Sequence, residues 1–198
     1  MIAPSLRSGA ALTAGIGGLI ACVIAMPFGR DGVNRREGSP APPMWHEIAW
    51  PLPRDAWEAG RAFKCASPQC GGDTEVYVRP KLGFCNCTTG VSDDEEVDRV
   101  TDLDLITPYF VPSGAGRAIE TAGLRGRARH YELHYIDGRS RSALGMALSR
   151  RCDVVVATAH GAGTLLPDRQ FVADLLASEP VRAWIEAQLG ERRRASAF

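Results

Sequence analysis

The chain has 198 residues and a formal net charge of zero, with 45% hydrophobic and 23% charged residues. This length and composition are typical of one soluble domain with a short extension. A balanced charge argues against a nucleic-acid partner, because contacts to phosphates need an excess of lysine and arginine.

The first feature along the chain is residues 10–28, an apolar run without a charged side chain. As a helix it would extend roughly 28 Å, enough to cross the hydrocarbon core of a bilayer. It could be a cleavable signal ending at Ala25, a lipoprotein signal with Cys22 as the acylated residue, or an uncleaved anchor. Because the run stays apolar from Cys22 to Phe28, the sequence favours an uncleaved transmembrane helix.

Residues 29–43 are rich in glycine, proline and charge, and they predict a linker between segment 1–28 and a globular domain over 44–198. The arginines in this linker would hold it in the cytoplasm under the positive-inside rule. The cysteines further along the chain favour export instead. We therefore expect a bacterial inner-membrane protein whose domain faces the periplasm, with a cytoplasm-facing zinc domain as the alternative.

The first half of the domain has the pattern of antiparallel strands. Residues 61–65 and 74–79 are compatible with strands. A turn signal at 80–83 predicts that 84–88 returns as the partner strand of 74–79.

The next elements are a helix and a further strand. Ser92 followed by Glu95 is a capping-box pattern, which predicts a helix over about 93–103. Residues 107–125 are rich in proline and glycine and predict irregular structure. Residues 127–136 alternate between apolar and polar side chains, as in a strand with one buried face.

The last third of the domain favours helices. Residues 142–151 predict a helix, and 153–159 form a continuous apolar run that predicts a central strand. Two final helices follow, one beginning near Pro167 and one capped by Ser178 and ending at Gly190. Strands in the first half and helices in the last third indicate the α+β class, as a single small domain.

Charge is segregated within this domain. Residues 92–106 are acidic and residues 117–151 are rich in arginine. The two segments either face each other inside the domain or form a charged docking surface.

Four cysteines with the spacing C-x4-C-x14-C-x-C form the clearest chemical pattern: Cys65, Cys70, Cys85 and Cys87. Cys85 and Cys87 would point to the same side of a strand, so the four sulfurs could cluster. In an oxidising compartment they predict two disulfides, each linking the first pair to the second. A zinc site with four thiolate ligands and a thiol-redox centre are the alternatives, although zinc favours C-x2-C spacing. Cys152 is predicted to be a buried free thiol.

A second candidate is the set His130, Glu132 and His134, which would share one face of a strand. Adjacent members could hold a metal between them, but all three would span about 13 Å, too far for one ion. We interpret the set as the solvent-facing side of a strand, with a metal site as the alternative.

No catalytic or cofactor motif is present. His160 to Gly163 resembles the oxyanion loop of esterases, but the chain has no G-x-S-x-G nucleophile elbow. The sequence therefore predicts a membrane-anchored, periplasm-facing accessory or interaction protein, braced by disulfides, that binds another envelope protein and needs no cofactor. The alternative is a thiol-redox or zinc-handling protein that uses the four cysteines.

Overall fold

The computed structural model describes residues 45–66, 68–70, 72–83, 86–161 and 167–195. The predicted anchor 10–28, the linker 29–43, Cys22 and Cys85 lie outside these residues. Within them, no helix has the length and apolar character needed to cross a membrane.

The described part of the chain folds into an antiparallel sheet with three helices. The strands are β1 (His46–Ile48), β2 (Arg61–Cys65), β3 (Thr74–Lys81), β4 (Tyr109–Pro112), β5 (Arg117–Thr121), β6 (Leu124–His134), β7 (Ser140–Arg150) and β8 (Asp153–His160). The helices are α1 (Asp94–Val100), α2 (Arg169–Ala177) and α3 (Glu179–Ala195). The strand order is β1-β2-β3-β8-β7-β6-β4, and β5 also pairs with β6. The predicted α+β class, with a helical C-terminal end, is confirmed.

The sheet is covered on both sides. We call the side under α2 and α3 face A, where Val76 and Met146 pack against Val172 and Ile185. We call the opposite side face B, where α1 lies over β7 and β8 through a smaller apolar cluster. The central strands are therefore buried from above and below.

This double burial explains why β7 was wrongly predicted as a helix over 142–151. Leu144, Met146 and Leu148 project into the core of face A, while Ala147 packs in the cluster beneath α1 on face B. A strand buried on both faces shows no alternation of polar and apolar residues. Without that alternation, the spacing of Leu144, Ala147 and Leu148 matches one face of a helix.

The described part of the predicted return strand at 84–88, residues 86–88, does not form a strand. Strand β3 pairs instead with β2 on one side and with β8 on the other. Cys87–Thr89 lie in a turn. Both edges of β3 are thus occupied by other strands, which leaves no place for a local hairpin partner.

The boundaries of α1 and α3 differ from the predicted ones. Asp93, not Ser92, caps α1, and its side chain accepts a hydrogen bond of 2.8 Å from the backbone N–H of Glu96. Helix α3 continues through Gly190 to Ala195. The residues predicted as irregular at 107–125 contain β4 and β5.

Replacing glycine with alanine is expected to change the stability of the domain in opposite directions at two positions. A Cβ atom at Gly126 in β6 would lie 1.9 Å from the carbonyl oxygen of Ala147 in β7, whereas one at Gly190 in α3 would meet nothing within 4 Å. We expect Gly126→Ala to lower the free energy of unfolding by about 1–3 kcal/mol, because the backbone of β7 must move. Gly190→Ala should raise it by about 0.5–1 kcal/mol. Urea denaturation of both variants checks this, and equal effects would contradict the strand register.

Candidate functional site

The cysteines form disulfides, but not with the predicted partners. Cys65 bonds to Cys70, and Cys87 bonds to Cys152. The predicted pairing between the 65/70 and 85/87 pairs was wrong, because Cys87 lies in a turn and reaches Cys152 in the turn between β7 and β8. Cys152 is consequently not a free thiol. In this structure the sulfurs of Cys65, Cys70 and Cys87 are in disulfides and are not present as thiolates.

The two bridges brace different parts of the domain. Cys65–Cys70 closes a short loop at the end of β2, and both residues are buried. Cys87–Cys152 spans 65 positions of sequence and ties the turn after β3 to the turn between β7 and β8. The second bridge therefore links segments that are distant in the chain.

The His130, Glu132 and His134 side chains share face A but are held by local contacts. Nε2 of His130 lies 3.2 Å from the carbonyl oxygen of Pro167, at the start of α2. Nδ1 of His134 lies 3.0 Å from Oγ of Ser140 and 3.9 Å from Glu132. In the described ranges no three histidine, cysteine, aspartate or glutamate side chains converge as a metal site.

The acidic and basic segments face each other across face B. Arg127 in β6 bonds to Asp94 of α1 at 2.5 Å, and Arg129 bonds to Asp98 at 2.6 Å. Asp98 also accepts a hydrogen bond of 2.6 Å from the hydroxyl of Tyr131. These ion pairs clamp α1 onto the sheet, so this acidic face of α1 is engaged within the domain.

A second charged network is buried on face B around Arg79, whose side chain is 1% exposed. Its guanidinium donates two hydrogen bonds of 2.7 Å to Asp102 and further hydrogen bonds of 2.8 and 2.6 Å to Asp55. The ammonium of Lys81 lies 2.8 Å from Asp102. The hydrogen bond from Arg79 lowers the pKa of Asp55 to about 2. This network fastens the segment before β2 and the turn after α1 to the middle of the sheet.

A chain of three polar groups lies beside this network at the end of β8. The hydroxyl of Tyr77 donates a 2.6 Å hydrogen bond to Glu75 and lies 3.0 Å from Nε2 of His160. Since that hydroxyl donates to Glu75, Nε2–H of His160 donates to the tyrosine oxygen. The other ring nitrogen, Nδ1, is buried and has no hydrogen-bond partner in the part of the chain that the structure describes. The ring is therefore held as the neutral tautomer.

This neutral histidine predicts a pH-dependent stability. Burial, with smaller effects of Arg141 and Lys64, lowers the pKa of His160, and Glu75 only partly opposes this. The unfolded chain, with a histidine pKa of about 6.5, then binds more protons than the folded one as the pH falls. We expect the free energy of unfolding to decrease between pH 7 and pH 5.

The comparison of two variants isolates this contribution. The decrease should be smaller in His160→Gln, and it should persist in the control variant His46→Gln, since His46 is exposed. Urea denaturation at several pH values measures how steeply the free energy of unfolding depends on pH. An identical slope in His160→Gln and the unmodified chain would contradict the assignment.

Face A carries a cleft of about 690 Å³ where the sheet extends beyond α2. One wall is the connection between β4 and β5, and the other is the beginning of α2. The cleft is lined by Ser113, Gly114, Ala115, Arg117, Ala128, His130, Pro167, Asp168, Arg169 and Gln170. We call this feature the cleft.

Two arginines give the cleft its positive charge. Arg117 and Arg169 have no ion-pair partner among the residues that the structure describes, whereas three arginines on β6 each contact a carboxylate. Asp168 caps α2 by accepting hydrogen bonds from the backbone N–H groups of Gln170 and Phe171. The helix amides are therefore already satisfied, and the guanidinium groups are what the cleft offers to an anion.

An exposed apolar strip continues from the cleft along β4. Tyr109 is 62% exposed and Val111 is 48% exposed. Val111 pairs with Glu132 of β6, so it lies on the same face as His130 at the floor of the cleft. We call the combination of Tyr109, Val111 and the cleft the open surface. On one face of the sheet it joins apolar side chains to two arginines that lack ion-pair partners among the described residues.

Sequence reasoning missed the open surface because β4 and β5 are both short. They pair with successive parts of β6 and are separated by residues 113–116, where the backbone N–H of Ser113 still donates to the carbonyl of His130 at 2.8 Å. Glycines in this interruption, together with Pro108 and Pro112 at the two ends of β4, gave the whole segment an irregular pattern. The run Tyr109, Phe110 and Val111, residue types that favour strands, was the only signal, and three residues are too few to predict a strand.

Comparisons with known proteins give a distant fold likeness and no family. No family model and no curated protein matches this chain. Among solved structures, the chain is similar to a crystal structure from Pseudomonas aeruginosa, PA94, described as a protein of unknown function. The two share 19% sequence identity with a TM-score of 0.36, over 75% of this chain and 94% of that chain. At these values the likeness carries no argument about function.

Proposed function

We propose that this chain is an accessory protein of the bacterial envelope, which binds another envelope protein through the open surface. The observation that carries the proposal is the exposure of Tyr109 and Val111 beside the cleft. Burying apolar area contributes about 25 cal/mol per Å², so contiguous exposed apolar groups favour association. The domain would act by binding, held near its partner by a membrane anchor at residues 10–28.

The disulfides support an oxidising location. Cysteine pairs persist outside the cytosol, whereas glutathione and thioredoxin keep cytosolic thiols reduced. The bridge between Cys87 and Cys152 joins two surface turns, and Cys87 itself is exposed. A bridge in such a position would be open to reductants, so it would last only in an oxidising compartment such as the periplasm. The apolar run at 10–28 would supply both export and anchoring.

The thiol-redox alternative has little support at the bridge between Cys65 and Cys70. Thiol–disulfide exchange requires that a thiolate reach a sulfur atom along the S–S axis. Cys65 is 0% exposed and Cys70 is 3% exposed, so the first bridge is shielded from such attack. Its place at the end of β2 favours a bracing role.

Site-specific cross-linking in cells tests the proposed function. A photo-reactive amino acid is placed at Val111 of the full chain, expressed in its own host. The matched control places it at Ala187, which is exposed on α3, far along the chain from β4. We expect ultraviolet light to produce one discrete protein adduct from the Val111 position and none from the Ala187 position.

The proposal also predicts that the adduct depends on the apolar strip. Tyr109→Ser should reduce the yield at Val111, because the partner would lose an aromatic contact. Absence of an adduct at Val111, or the same adducts from both positions, would contradict a partner on the open surface.

A further inference from the structure

We propose that the cleft binds a carboxylate on an extended segment of the partner protein, and that this carboxylate lies four residues from an apolar side chain covering Val111. The inference rests on the proposed function and specifies the chemistry of the partner. It follows from the charge of the cleft and from the distance between the cleft and the apolar strip.

The charge of the cleft selects a carboxylate. Arg117 and Arg169 present guanidinium groups that lack ion-pair partners in the described part of the chain. A guanidinium binds a carboxylate through two parallel hydrogen bonds, which are stronger than neutral ones. Asp168 lines the cleft with the two arginines, whereas Glu132 lies outside it, opposite Val111. A ligand with a single acidic group at the arginines keeps its charge away from Glu132, whereas a nucleic acid, with a phosphate on each nucleotide, would also place negative charge near Glu132.

The strand register sets the spacing. Val111 lies opposite Glu132 of β6, and Arg117 lies opposite Ala128. Four residues of β6 therefore separate the two positions, which corresponds to about 13 Å along an extended chain. A partner segment in the same extended conformation turns every second side chain toward the sheet. An apolar residue at one position and an acidic residue four positions away would both face the open surface.

Tyr109 extends the same pattern in the opposite direction. It lies two residues before Val111 and pairs with His134, so both side chains share face A. A second apolar residue of the partner, two positions before the first, would cover it. The matching pattern is thus apolar-x-apolar-x-x-x-acidic.

The linker of this chain does not fit the role of occupant. Residues 29–43 carry Arg30, Arg35 and Arg36 against Asp31 and Glu37, which is an excess of positive charge. Positive charge does not complement Arg117 and Arg169, which lack ion-pair partners in the described part of the chain. The linker is therefore not the segment that we propose binds the cleft.

Peptide binding to the full chain in detergent tests the inference. The matched peptide has ten residues, with valine at positions 2 and 4, aspartate at position 8 and threonine elsewhere, and it carries a fluorescent label. One control peptide has asparagine at position 8. Another has the aspartate at position 7, which would turn that side chain to the opposite face. Fluorescence anisotropy gives the dissociation constants.

Protein variants connect the peptide to the cleft. We expect Arg117→Ala and Arg169→Ala each to weaken binding of the matched peptide about tenfold, because each removes a charge-assisted contact. Arg125→Ala is the matched control, since Arg125 lies on β6 with an 83% exposed side chain and outside the cleft. It changes the net charge by the same amount and should leave binding unchanged. Circular dichroism verifies that all three variants fold.

Three results would overturn the inference. The first is absence of binding by the matched peptide. The second is equal affinity for the matched and asparagine peptides. The third is displacement of the peptide by single-stranded DNA or by vesicles of anionic lipid at concentrations where a neutral polymer has no effect. A Val111 cross-link obtained alongside any of these would retain the proposed function and reject only the carboxylate.

Discussion

Replacing Asp102 with alanine is expected to lower the free energy of unfolding by about 3–5 kcal/mol, because it leaves buried positive charge without its partner. Asp102 is 1% exposed and contacts both Arg79 and Lys81. After the substitution Arg79 retains its hydrogen bonds to Asp55 and its contact with the ring of Trp50, and Lys81 retains its hydrogen bond to the carbonyl oxygen of Val100. None of these contacts replaces the buried carboxylate that Arg79 and Lys81 share.

Asp104 provides the matched control for this prediction. It lies two residues further along the chain and is exposed. Asp104→Ala should change the free energy of unfolding by no more than about 0.5 kcal/mol, as for most surface substitutions. Urea denaturation of both variants makes the comparison. A loss below about 1 kcal/mol for Asp102→Ala would show that the network does not hold the segments around it.

Removing the bridge between Cys87 and Cys152 is the second substitution with a large expected effect. Because the two residues are separated by 65 positions, their bond restricts the unfolded chain strongly. The chain-entropy estimate for a loop of this length is about 4 kcal/mol. We expect the double variant Cys87→Ser, Cys152→Ser to lose about that much stability.

The other bridge is the internal comparison. Cys65 and Cys70 are five positions apart, which corresponds to about 2 kcal/mol on the same estimate. Thermal unfolding of the two double-serine variants under non-reducing conditions shows which variant loses more stability. A larger loss for Cys65→Ser, Cys70→Ser would contradict the role of Cys87–Cys152 as the main covalent brace.

Strands could be predicted where one face meets water, or where a continuous valine-rich run marks a central strand. The strand at 127–136 was correct because Tyr131 and Leu133 are buried while Glu132 is exposed. The strand at 153–159 was correct because its apolar run fits a central position. The helix predicted at 142–151 failed because both faces of β7 are covered, which removes the periodicity that separates strand from helix.

The candidate site was harder to predict than the fold. The presence of disulfides followed from the number of cysteines, but their partners depend on which strands pair. The sequence offered a local hairpin after β3, whereas β3 pairs with β8, which begins 72 positions after Lys81 in the chain (from 81 to 153). The open surface was missed for the same reason, since it depends on β4 and β5 meeting successive parts of β6.

The most direct measurement is the state of the cysteines in the host cell. Cells are quenched with acid, free thiols are alkylated, and the protein is digested without a reductant and analysed by mass spectrometry. A domain that is exported and braced as proposed predicts a linked peptide pair containing Cys87 and Cys152, with neither residue alkylated. Recovery of Cys87 and Cys152 as alkylated peptides from freshly quenched cells would contradict it.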